Sequence, residues 1–424
     1  MRLLLSSDLH IGRSSTRVPD SVRSDEIRAD RAWSRMVDLA LSEQVDVVCL
    51  GGDVADQDNK FWEAIGPLQQ GIGRLAHAKI RTVAVAGNHD HDVLVRLADQ
   101  LPPEHFALVG RGGRWQRLTI DDAQGRPVLH IDGWSFPTQR MHQSPLDSYD
   151  LAPDPTVPIL GIVHGDLDNA ATPYGPLDRA RLQALPPAAW LLGHLHGPRL
   201  IDGPPWLLYP GSPQALDPGE PGPHGPWLVE VDRGTLATPR QRAISSVWYD
   251  RIRINLDGAA DEMDLEATLL NSVRQQADRI AACAGSDLAH ASLRLELVGS
   301  TPVAHLVTQV ARSAIDGLSL PVGTGQLGIE AVDNQAMPVM DLTEYAPTHT
   351  APGTVARLLV ELESDQVSNE VAQLLRQVRS ELNQVEKQRE FASLPRRQVT
   401  DEMIRQHLRK QGRALLSQLV GANR

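Results

Sequence analysis

The sequence predicts an α/β protein whose first part is built on a parallel β-sheet. Two observations predict this fold class: apolar runs alternate with helical patterns near the start of the chain, and shorter strand-like runs follow them. The alternation has the order β-α-β-α-β, which makes neighbouring strands parallel and buries them on both faces. The five segments are RLLLSS, SDEIRADRAWSRMVDLALSE with Ser24 as its expected N-cap, VDVVCLGG, NKFWEAIGPLQQGIGRLAHA and RTVAVAGN.

A second sheet is predicted in the region that follows. Its strand candidates are short apolar runs separated by turns rich in Pro and Gly. Together with the parallel sheet they are expected to form one domain over residues 1–240. The candidates are WQRLTI, PVLHIDGW, PILGIVHG, AAWLLGH, WLLYPGS and HGPWLVEVD.

A small α/β unit and a helical region are predicted after residue 240. VWYDRIRINLDG and ASLRLELVGS are typical of strands, and DEMDLEATLLNSVRQQADRIAACA between them is typical of a long helix. The remaining domains are therefore expected at 241–345 and 346–424. In the last of these, Pro395 separates a helix with an apolar stripe from a second helix near Thr400. The stripe consists of Val371, Leu374, Leu375, Val378, Leu382 and Val385.

Length and composition are those of a globular protein with more than one core. The 424 residues are 41% hydrophobic, and single cores rarely grow beyond roughly 250–300 residues. No run approaches the roughly 18 apolar residues of a membrane span, and MRLLLSSDLH becomes polar too early for a signal peptide. We therefore expect a cytoplasmic protein without a membrane segment. Cys49 and Cys283 are expected to be small buried residues, and they indicate neither a disulfide nor a metal site.

Charge is unevenly distributed along the chain. The formal net charge is -12, yet residues 366–424 hold eleven Lys or Arg and six Asp or Glu, which is +5 against -17 for the remainder. An acidic body with a basic tail indicates two partners, or one partner and a site rich in carboxylates.

Metal-ligand residue types recur where the predicted strands end. The first strand ends in SSDLHIG, which places two ligand types on one face. The motifs GGDVAD, GNHD, HG and GHLH follow later strands, and ligands at the carboxyl ends of strands converge on one crevice in an open α/β sheet. Seven oxygen and nitrogen donors suit two divalent cations with water in the remaining positions. They are Asp8, His10, Asp53, Asn88, His164, His194 and His196.

Glycines beside these residues predict sharp turns and a close approach of the backbone to the ligands. Gly51 and Gly52 precede Asp53, and Gly193 and Gly197 flank the histidine pair of GHLH.

The series DLH, GGDVAD, GNHD, HG and GHLH resembles the calcineurin-like metallophosphoesterases over roughly the first 240 residues. The resemblance implies two β-sheets packed between helices around a dinuclear metal centre. Within the family, SSDLHIG, YPGSP, the α/β unit and the helical tail are most similar to the bacterial DNA repair exonucleases of the Mre11/SbcD type. The implied fold is an αββα sandwich with a small α/β capping domain and a helical C-terminal module.

The resemblance also implies a role for each motif residue. Two groups of ligands are joined by a bridging carboxylate: Asp8, His10 and His196 for one ion, Asn88, His164 and His194 for the other, and Asp53 between them. His89 stands outside the ligand set and is implied to stabilise developing charge or to protonate the leaving oxygen. Some relatives carry a histidine three positions after the bridging aspartate; Asp56 occupies that position here, and we assign it no catalytic role.

The implied cofactors are two divalent metal ions. Carboxylate, imidazole and amide ligands suit Mn²⁺, with Fe²⁺ or Mg²⁺ as alternatives. The implied partners are DNA and an SbcC/Rad50-like coiled-coil ATPase bound through the C-terminal helices, and a homodimer is a further arrangement. The apolar stripe from Val371 to Val385 must be buried against another surface, either a helix of a partner or the rest of this chain. The candidates for phosphate contact are arginines in predicted loops near the strand ends: Arg13, Arg17, Arg114, Arg140 and Arg199.

The resemblance thus implies a divalent-metal-dependent DNA nuclease, the exonuclease or endonuclease subunit of a repair complex. A first alternative uses the same metal centre on a small phosphodiester or a phosphoprotein, which has less need of an added α/β unit and a basic tail. A second alternative is a scaffold whose ATPase partner matters more than its own cleavage. The complete ligand set and His89 argue against an inactive site.

Overall fold

The computed structural model describes residues 1–56, 60–232, 234–364, 368–386 and 400–421. The chain forms two compact units. One contains Met1–Arg251, Arg274–Arg294 and Leu318–Glu330; the other contains Ile252–Val273, Leu295–Gly317 and Ala331–Arg424. The domain boundaries near residues 240 and 345 stay a prediction.

The described residues up to position 241 form two large β-sheets and the helices around them. The strands are β1 (Arg2–Ser6), β2 (Val47–Leu50), β3 (Arg81–Ala84), β4 (Phe106–Leu108), β5 (Gln116–Asp121), β6 (Pro127–Trp134), β7 (Ile159–His164), β8 (Asp166–Leu167), β9 (Pro176–Leu177), β10 (Ala189–Gly193), β11 (Arg199–Ile201), β12 (Trp206–Tyr209), β13 (Trp227–Asp232), β14 (Thr235–Leu236) and β15 (Arg240–Gln241). The helices are α1 (Ala29–Ser42), α2 (Lys60–His77), α3 (Val93–Ala98) and α4 (Arg179–Ala184).

The first sheet has the strand order β14-β13-β1-β2-β3-β4, with β15 beside β13. Strands β1 to β4 are parallel, as the β-α-β-α-β pattern predicts. The HGPWLVEVD segment was expected in the second sheet, and this expectation is wrong: β13 pairs antiparallel with β1, with Leu3 opposite Val229. Val229 and Val231 on one face of β13 join the core between the sheets, and Leu228 on the other face packs against the core on the helix side of the first sheet.

The second sheet has the order β11-β12-β10-β7-β6-β5. Strands β6, β7, β10 and β12 are parallel, and β5 and β11 are antiparallel edges. The interior strands β7 and β10 are buried at every position, which accounts for their continuous apolar sequences. Their carboxyl ends, like those of β1 to β3, carry the polar motifs.

Side chains alternate between the two faces of each sheet and pack into three apolar layers. Leu3 and Leu5 of β1 enter the core between the sheets, together with Leu160 and Leu191 of the second sheet. Leu4 points the other way and packs with the helices α1, α2 and α3. The outer face of the second sheet is covered by a third cluster that is rich in tryptophan. The layers are those of an αββα sandwich, and the predicted α/β class is confirmed.

Helix α1 begins later than its sequence suggests. The residue before it is Arg28, which is extended and has no side-chain cap, so the expected N-cap at Ser24 is wrong. The reason is a long-range pairing: Arg28 forms a β-bridge with Ser14, and the Ala29 amide donates to the carbonyl of Arg13. These bonds hold the preceding residues outside the helix.

The later part of the chain adds further strands and helices within the described ranges. The strands are β16 (Val247–Asn255), β17 (His290–Val298), β18 (Ser300–Thr301), β19 (Ser319–Val322), β20 (Gly325–Asn334) and β21 (Met337–Pro338). The helices are α5 (Glu262–Cys283), α6 (Ala304–Gly317), α7 (Leu342–Tyr345), α8 (Ala351–Glu363), α9 (Asn369–Glu386) and α10 (Asp401–Gly421). Four of these strands form a sheet of order β16-β17-β20-β19. No helix in the described part of the chain is long and apolar enough to cross a membrane.

The two cysteines differ in environment. Cys49 on β2 is fully buried in the core between the sheets, as expected. Cys283 was also expected to be buried, and this expectation is wrong. Cys283 is the last residue of α5, and residues 281–283 at this helix end are all exposed to solvent.

The apolar stripe on α9 is covered by the protein itself over its first turns. Val371 and Leu375 pack with Leu362 of α8 and Ile404 of α10. Further along, Leu382 is 38% exposed. Pro395 and the side chain of Val385 lie outside the described residues.

Basic residues of the tail make bonds within the tail. Arg409 donates from Nε and Nη2 to the carbonyl of Leu362, at 3.0 and 2.7 Å. Arg405 donates to the carbonyl of Ser364, and Arg413 pairs with Glu363. Since the last carbonyls of a helix have no partner inside it and carry partial negative charge, these arginines satisfy the end of α8. The positive charges of these three arginines are therefore used within the helical region.

Helix α2 offers a test of how tightly the first core is packed. A Cβ added at Gly71 would lie 2.2 Å from Nε1 of Trp33, which itself donates to the carbonyl of Pro67. Gly71→Ala should lower the free energy of unfolding by about 1–3 kcal/mol through overpacking. Gly73→Ala, in the same helix and with open space around it, should raise it by up to about 1 kcal/mol. Urea unfolding of both variants gives the comparison, and equal stability would contradict the packing described.

Candidate metal centre

The polar motif residues meet at the carboxyl ends of five parallel strands. Asp8 and His10 follow β1, Asp53 follows β2, and Asn88 and His89 follow β3. His164 ends β7, while His194 and His196 follow β10. Since β1, β2 and β3 are neighbours in one sheet and β7 and β10 are neighbours in the other, the two groups of strand ends face each other across the sandwich. The structure thus brings all seven expected ligands and His89 together.

The backbone is held in an unusual conformation at these strand ends. The φ angles of Asp8, His10 and Asp53 are 53°, 46° and 50°, and that of His194 is 109°. Left-handed backbone at a residue other than glycine costs on the order of 1–3 kcal/mol and persists where surrounding bonds impose it. Here the Asp8 amide donates to the carbonyl of Gly52, and the His10 amide donates to the carbonyl of Asp53. The strain aims the four side chains into one crevice.

The first ligand group is formed by Asp8, His10 and His196, whose ligand atoms lie within 4.8 Å of one another. Nε2 of His10 is 3.0 Å from Nε2 of His196. Two ligand atoms about 2.1 Å from a shared ion, at a right angle to each other, would be about 3.0 Å apart. The spacing therefore fits a divalent cation between the two imidazoles.

The second group lies beside the first. Nε2 of His164 is 3.1 Å from Oδ1 of Asn88 and 3.3 Å from Oδ2 of Asp53. His194 joins it through its ring, which lies edge-on to the ring of His164 with centroids 5.4 Å apart. Ligand atoms of Asp8, Asp53 and His164 also lie within 4.8 Å of one another. Asp53 is thus placed between the two groups, as a bridging ligand would be.

Three of the imidazoles have a fixed orientation. In each of them Nδ1 faces a backbone carbonyl or an ionised carboxylate, which can only accept a hydrogen bond, so Nδ1 carries the proton. The pairs are His10 with Asp56 Oδ1 at 3.1 Å, His164 with the Gly51 carbonyl at 3.0 Å and His196 with Glu220 Oε1 at 2.7 Å. In the neutral form of each ring the Nε2 lone pair therefore faces the crevice, the arrangement that metal-binding histidines usually have.

Burial and opposite charge act against each other at the centre of the site. Burial raises the pKa of Asp8, which is fully inaccessible to solvent. Burial also acts on Asp53, but the neighbouring His164 outweighs it and holds the pKa of Asp53 well below its usual range. Burial alone would lower the pKa of His164, and the charge of Asp53 raises it to about 9. A divalent cation would compete with that proton for the same lone pair and would neutralise both carboxylates.

His194 differs from the other imidazoles. Burial, reinforced by the charge of His164, lowers its pKa to about 3. It is therefore neutral near pH 7, which is the form that binds metals. Its main-chain amide donates to both carboxylate oxygens of Asp8, at 3.0 and 3.1 Å.

His89 lies beside the ligand groups and is more exposed than they are. Its side chain is 31% exposed and its ring is perpendicular to that of His10, with centroids 5.0 Å apart. Nδ1 is 3.6 Å from Oδ1 of Asp56, and the interaction with Asp56 raises the pKa of His89. Its amide donates to Oδ1 of Asp53, at 2.9 Å. His89 can therefore hold a proton at the edge of the crevice.

Three carboxylates around the site were not assigned a role from the sequence. Asp56 contacts both His10 and His89, and Glu220 contacts His196. Asp90 is fully buried and accepts from the amides of Gly87 and Val54, so it ties the β3 loop to the β2 loop. The D of GNHD could have indicated Asp90, but no motif surrounding Glu220 points to the site. Its contact with His196 depends on folding.

The five candidate arginines have different relations to this centre. Arg13 is half-buried and close enough to affect the pKa of His196. Arg140 is exposed and precedes Met141, whose backbone pairs with Tyr174. The ring of Tyr174 in turn lies 5.4 Å from that of His194. Arg17, Arg114 and Arg199 are exposed. None of the described contacts joins their guanidinium groups to the centre.

Residues 1–198, just under half of the chain, match the family model described as calcineurin-like phosphoesterase. This part of the chain has αββα layers. Its described residues include three overlapping groups of His and Asp side chains that could hold a metal ion: Asp8, His10 and His196; Asp8, Asp53 and His164; and His10, Asp56 and His89. In sequence and in the arrangement of these residues it is similar to a metal-dependent phosphoesterase domain.

Two curated relatives share about a quarter of their residues with this chain over the aligned regions. The uncharacterized metallophosphoesterase YhaO of Bacillus subtilis (strain 168) is 28% identical over 220 residues, which cover 50% of this chain and 52% of that protein. The DNA double-strand break repair protein Mre11 of Haloferax volcanii is 26% identical over 273 residues, which cover 61% of this chain and 55% of that protein. The chain thus spans about half the length of the curated relatives it matches.

Solved structures are less similar to this chain than the two curated relatives are in sequence identity. The crystal structure of TT1561 of Thermus thermophilus superposes with a TM-score of 0.34 and 14% identity, over 57% of this chain and 98% of that chain. A superposition this loose adds nothing to the sequence match.

Two glycines of GHLHG test how closely the backbones approach in the site. A Cβ at Gly193 would lie 2.0 Å from the carbonyl of Gly51 and 2.5 Å from Nδ1 of His164. Gly197 has open space around it, so the close approach expected there is not found. Gly193→Ala should displace His164 and weaken Mn²⁺ binding at least about tenfold, by analogy with the loss of an outer hydrogen bond to a ligand. Gly197→Ala should bind like the unaltered protein in a calorimetric titration; equal affinities for the two variants would contradict this packing.

Proposed function

We propose that this chain hydrolyses DNA phosphodiester bonds with two divalent cations, as the nuclease subunit of a DNA repair complex. The observation that carries the proposal is the pair of ligand groups around Asp53, with His89 beside them. DNA as the substrate is supported by the relative named as a DNA double-strand break repair protein, whose alignment of 273 residues is longer than the 198 matched by the phosphoesterase model.

The residues would divide the work as follows. One cation would be held by Asp8, His10 and His196, a second by Asn88, His164 and His194, with Asp53 shared between them. Bound there, two divalent cations supply the positive charge that draws electron density from the phosphoryl oxygens and acidifies an attacking water. His89 lies at the edge of the crevice with its proton favoured by Asp56, so it is placed to protonate the leaving oxygen or to stabilise charge on it.

The donor set favours some metals over others. Of the seven proposed ligands, four are imidazoles, two are carboxylates and one is an amide. Mg²⁺ prefers oxygen ligands, whereas Mn²⁺ and Fe²⁺ accept imidazole as well. We therefore propose Mn²⁺, with Fe²⁺ as the closest substitute and Mg²⁺ as the least suited.

An SbcC/Rad50-like ATPase is the proposed partner of the C-terminal helices. The stripe on α9 is covered by α8 and α10 over its first turns, which removes Val371 and Leu375 from a partner surface. Among the described residues of the C-terminal helices, the exposed large apolar side chains are Val360 at 42%, Leu382 at 38%, Met403 at 45% and Leu415 at 47%. A partner helix would bind there, on a smaller surface than the whole stripe. A homodimer is a competing use of the same side chains.

A second candidate function is hydrolysis of a small phosphodiester or a phosphoprotein. The observation that favours it is the use of Arg405, Arg409 and Arg413 inside the helical region. These cations are less available to DNA than the sequence suggests, and the net charge of the chain is -12. A scaffold without activity of its own is less favoured, because the ligand groups are complete.

Cleavage of labelled linear and hairpin duplex DNA in Mn²⁺ tests the nuclease. Asn88→Ala removes a proposed ligand, and His89→Gln removes the proposed proton donor. His89→Gln should reduce the rate at least about a hundredfold, the usual scale of general acid catalysis. Asn88→Ala should also reduce the rate, because it weakens the binding of one of the two cations. His91→Gln, two residues away and outside both ligand groups, is the matched control and should cut at the unaltered rate. Undiminished cleavage by His89→Gln, or cleavage that survives a chelator, would show that another site or a contaminant is responsible.

Salt dependence tests the DNA contacts. If the five candidate arginines contact phosphates, replacing one by alanine should reduce the slope of log K against log[salt] by about 0.9. Arg13 is expected to show the effect most clearly, because it is the one of the five that lies close enough to His196 to affect its pKa. Arg126→Ala serves as the control, since Arg126 is exposed but tied to Asp122 in a turn. Binding measured by fluorescence anisotropy at several salt concentrations gives the slopes, and identical slopes for all variants would remove these arginines from the interface.

A further inference from the structure

We infer that Glu220 is a positioning residue for the metal centre: it holds His196 in the one orientation and tautomer that can bind a cation. The inference rests on the metal site of the proposed function and deepens it. Glu220 lies 24 residues beyond His196, in the segment that joins β12 to β13.

The contact between the two residues is short and sheltered. Oε1 of Glu220 is 2.7 Å from Nδ1 of His196, and the Glu220 side chain is only 6% exposed. A carboxylate oxygen accepts hydrogen bonds, so the proton between the two groups is on Nδ1 of the imidazole.

The other oxygen of Glu220 is held as firmly. Oε2 accepts from the hydroxyl of Ser212 at 2.9 Å and from the amide of Leu216 at 2.7 Å. Ser212 is itself held by His224, whose Nδ1 donates to the Ser212 carbonyl at 2.7 Å. His224 is buried, and burial lowers its pKa, so it is a neutral donor. Both oxygens of the carboxylate are thus committed, and Glu220 has little freedom to turn away from His196.

The consequence lies at the other nitrogen of His196. With the proton on Nδ1, Nε2 has a free lone pair, and it lies 3.0 Å from Nε2 of His10. His10 is held in the same way by Asp56. A carboxylate behind a ligand imidazole fixes its tautomer and makes it a stronger donor. The first ligand group therefore consists of one carboxylate and two imidazoles that are each backed by a carboxylate.

Glu220→Gln is the most informative substitution because it changes charge and not shape. The glutamine oxygen would take the place of Oε2, which accepts two hydrogen bonds, and its amide would then face Nδ1 of His196. An amide can only donate there, so the proton of the imidazole moves to Nε2 and blocks the lone pair. Loss of an outer partner of this kind typically reduces metal affinity roughly 10- to 100-fold.

The experiment is a calorimetric titration of the full chain with Mn²⁺. The unaltered protein should bind two ions; Glu220→Gln should bind one of them about 10- to 100-fold more weakly. Asp217→Asn is the matched control, because Asp217 caps the same turn through the amide of Gly219 and has no contact with His196 among the described bonds. Its affinities should equal those of the unaltered protein. Melting of each chelated variant checks that the fold is intact.

A double-mutant comparison separates positioning from a general effect on the loop. In a His196→Ala background, Glu220→Gln should cause no further loss of affinity, because the residue through which it acts is absent. If Glu220→Gln lowers Mn²⁺ affinity as much in the His196→Ala background as in the unaltered protein, the inference is overturned. Unaltered affinity in a folded Glu220→Gln protein overturns it too. If Glu220→Gln does not fold, Ser212→Ala loosens the carboxylate while keeping its charge; a folded Ser212→Ala protein with unaltered affinity overturns the inference as well.

This measurement is independent of the substrate. If both ions bind as described and no DNA is cut, the nuclease proposal fails and the role of Glu220 stands. If DNA is cut and Glu220→Gln binds both ions normally, the role of Glu220 fails alone.

Discussion

The site depends on the burial of two carboxylates, Asp8 and Asp53, at the place where two sheets meet. Removing an ionised carboxylate from water costs several kcal/mol unless opposite charge and hydrogen bonds offset it. Asp8 receives the amide of His194, and Asp53 receives the amide of His89 and the ring of His164. Cations would supply the larger part of the compensation. The strained backbone and the close approach at Gly193 keep these groups together.

A second set of groups orients the first. Asp56, Glu220 and the carbonyl of Gly51 each hold one imidazole by its Nδ1 proton. Asp90 stabilises the loops without touching the crevice, because both of its oxygens accept amides of the β2 and β3 loops; burial and the charge of Asp53 raise its pKa to about 7. The ligands therefore have little freedom, which lowers the entropic cost of binding an ion.

The parts that could be predicted are those whose signal is local. Strands β1 to β3 follow from buried apolar runs, and the ligand motifs follow from their position after those runs. The errors concern long-range bonds. Ser24 does not cap α1 because Arg28 pairs with Ser14, and β13 joins the first sheet because β1 offers it a free edge. The basic tail is less available than its composition suggests, since Arg409 binds the end of α8.

The sequence by itself determined the α/β class and the residue types that gather at the strand ends, because side-chain alternation and motif order are properties of neighbouring residues. Only the tertiary structure decided which groups stand behind the ligands. Glu220 is 24 residues from His196, and Asp56 is 46 residues from His10. Contacts over such separations depend on how the two sheets pack, and no local pattern records them.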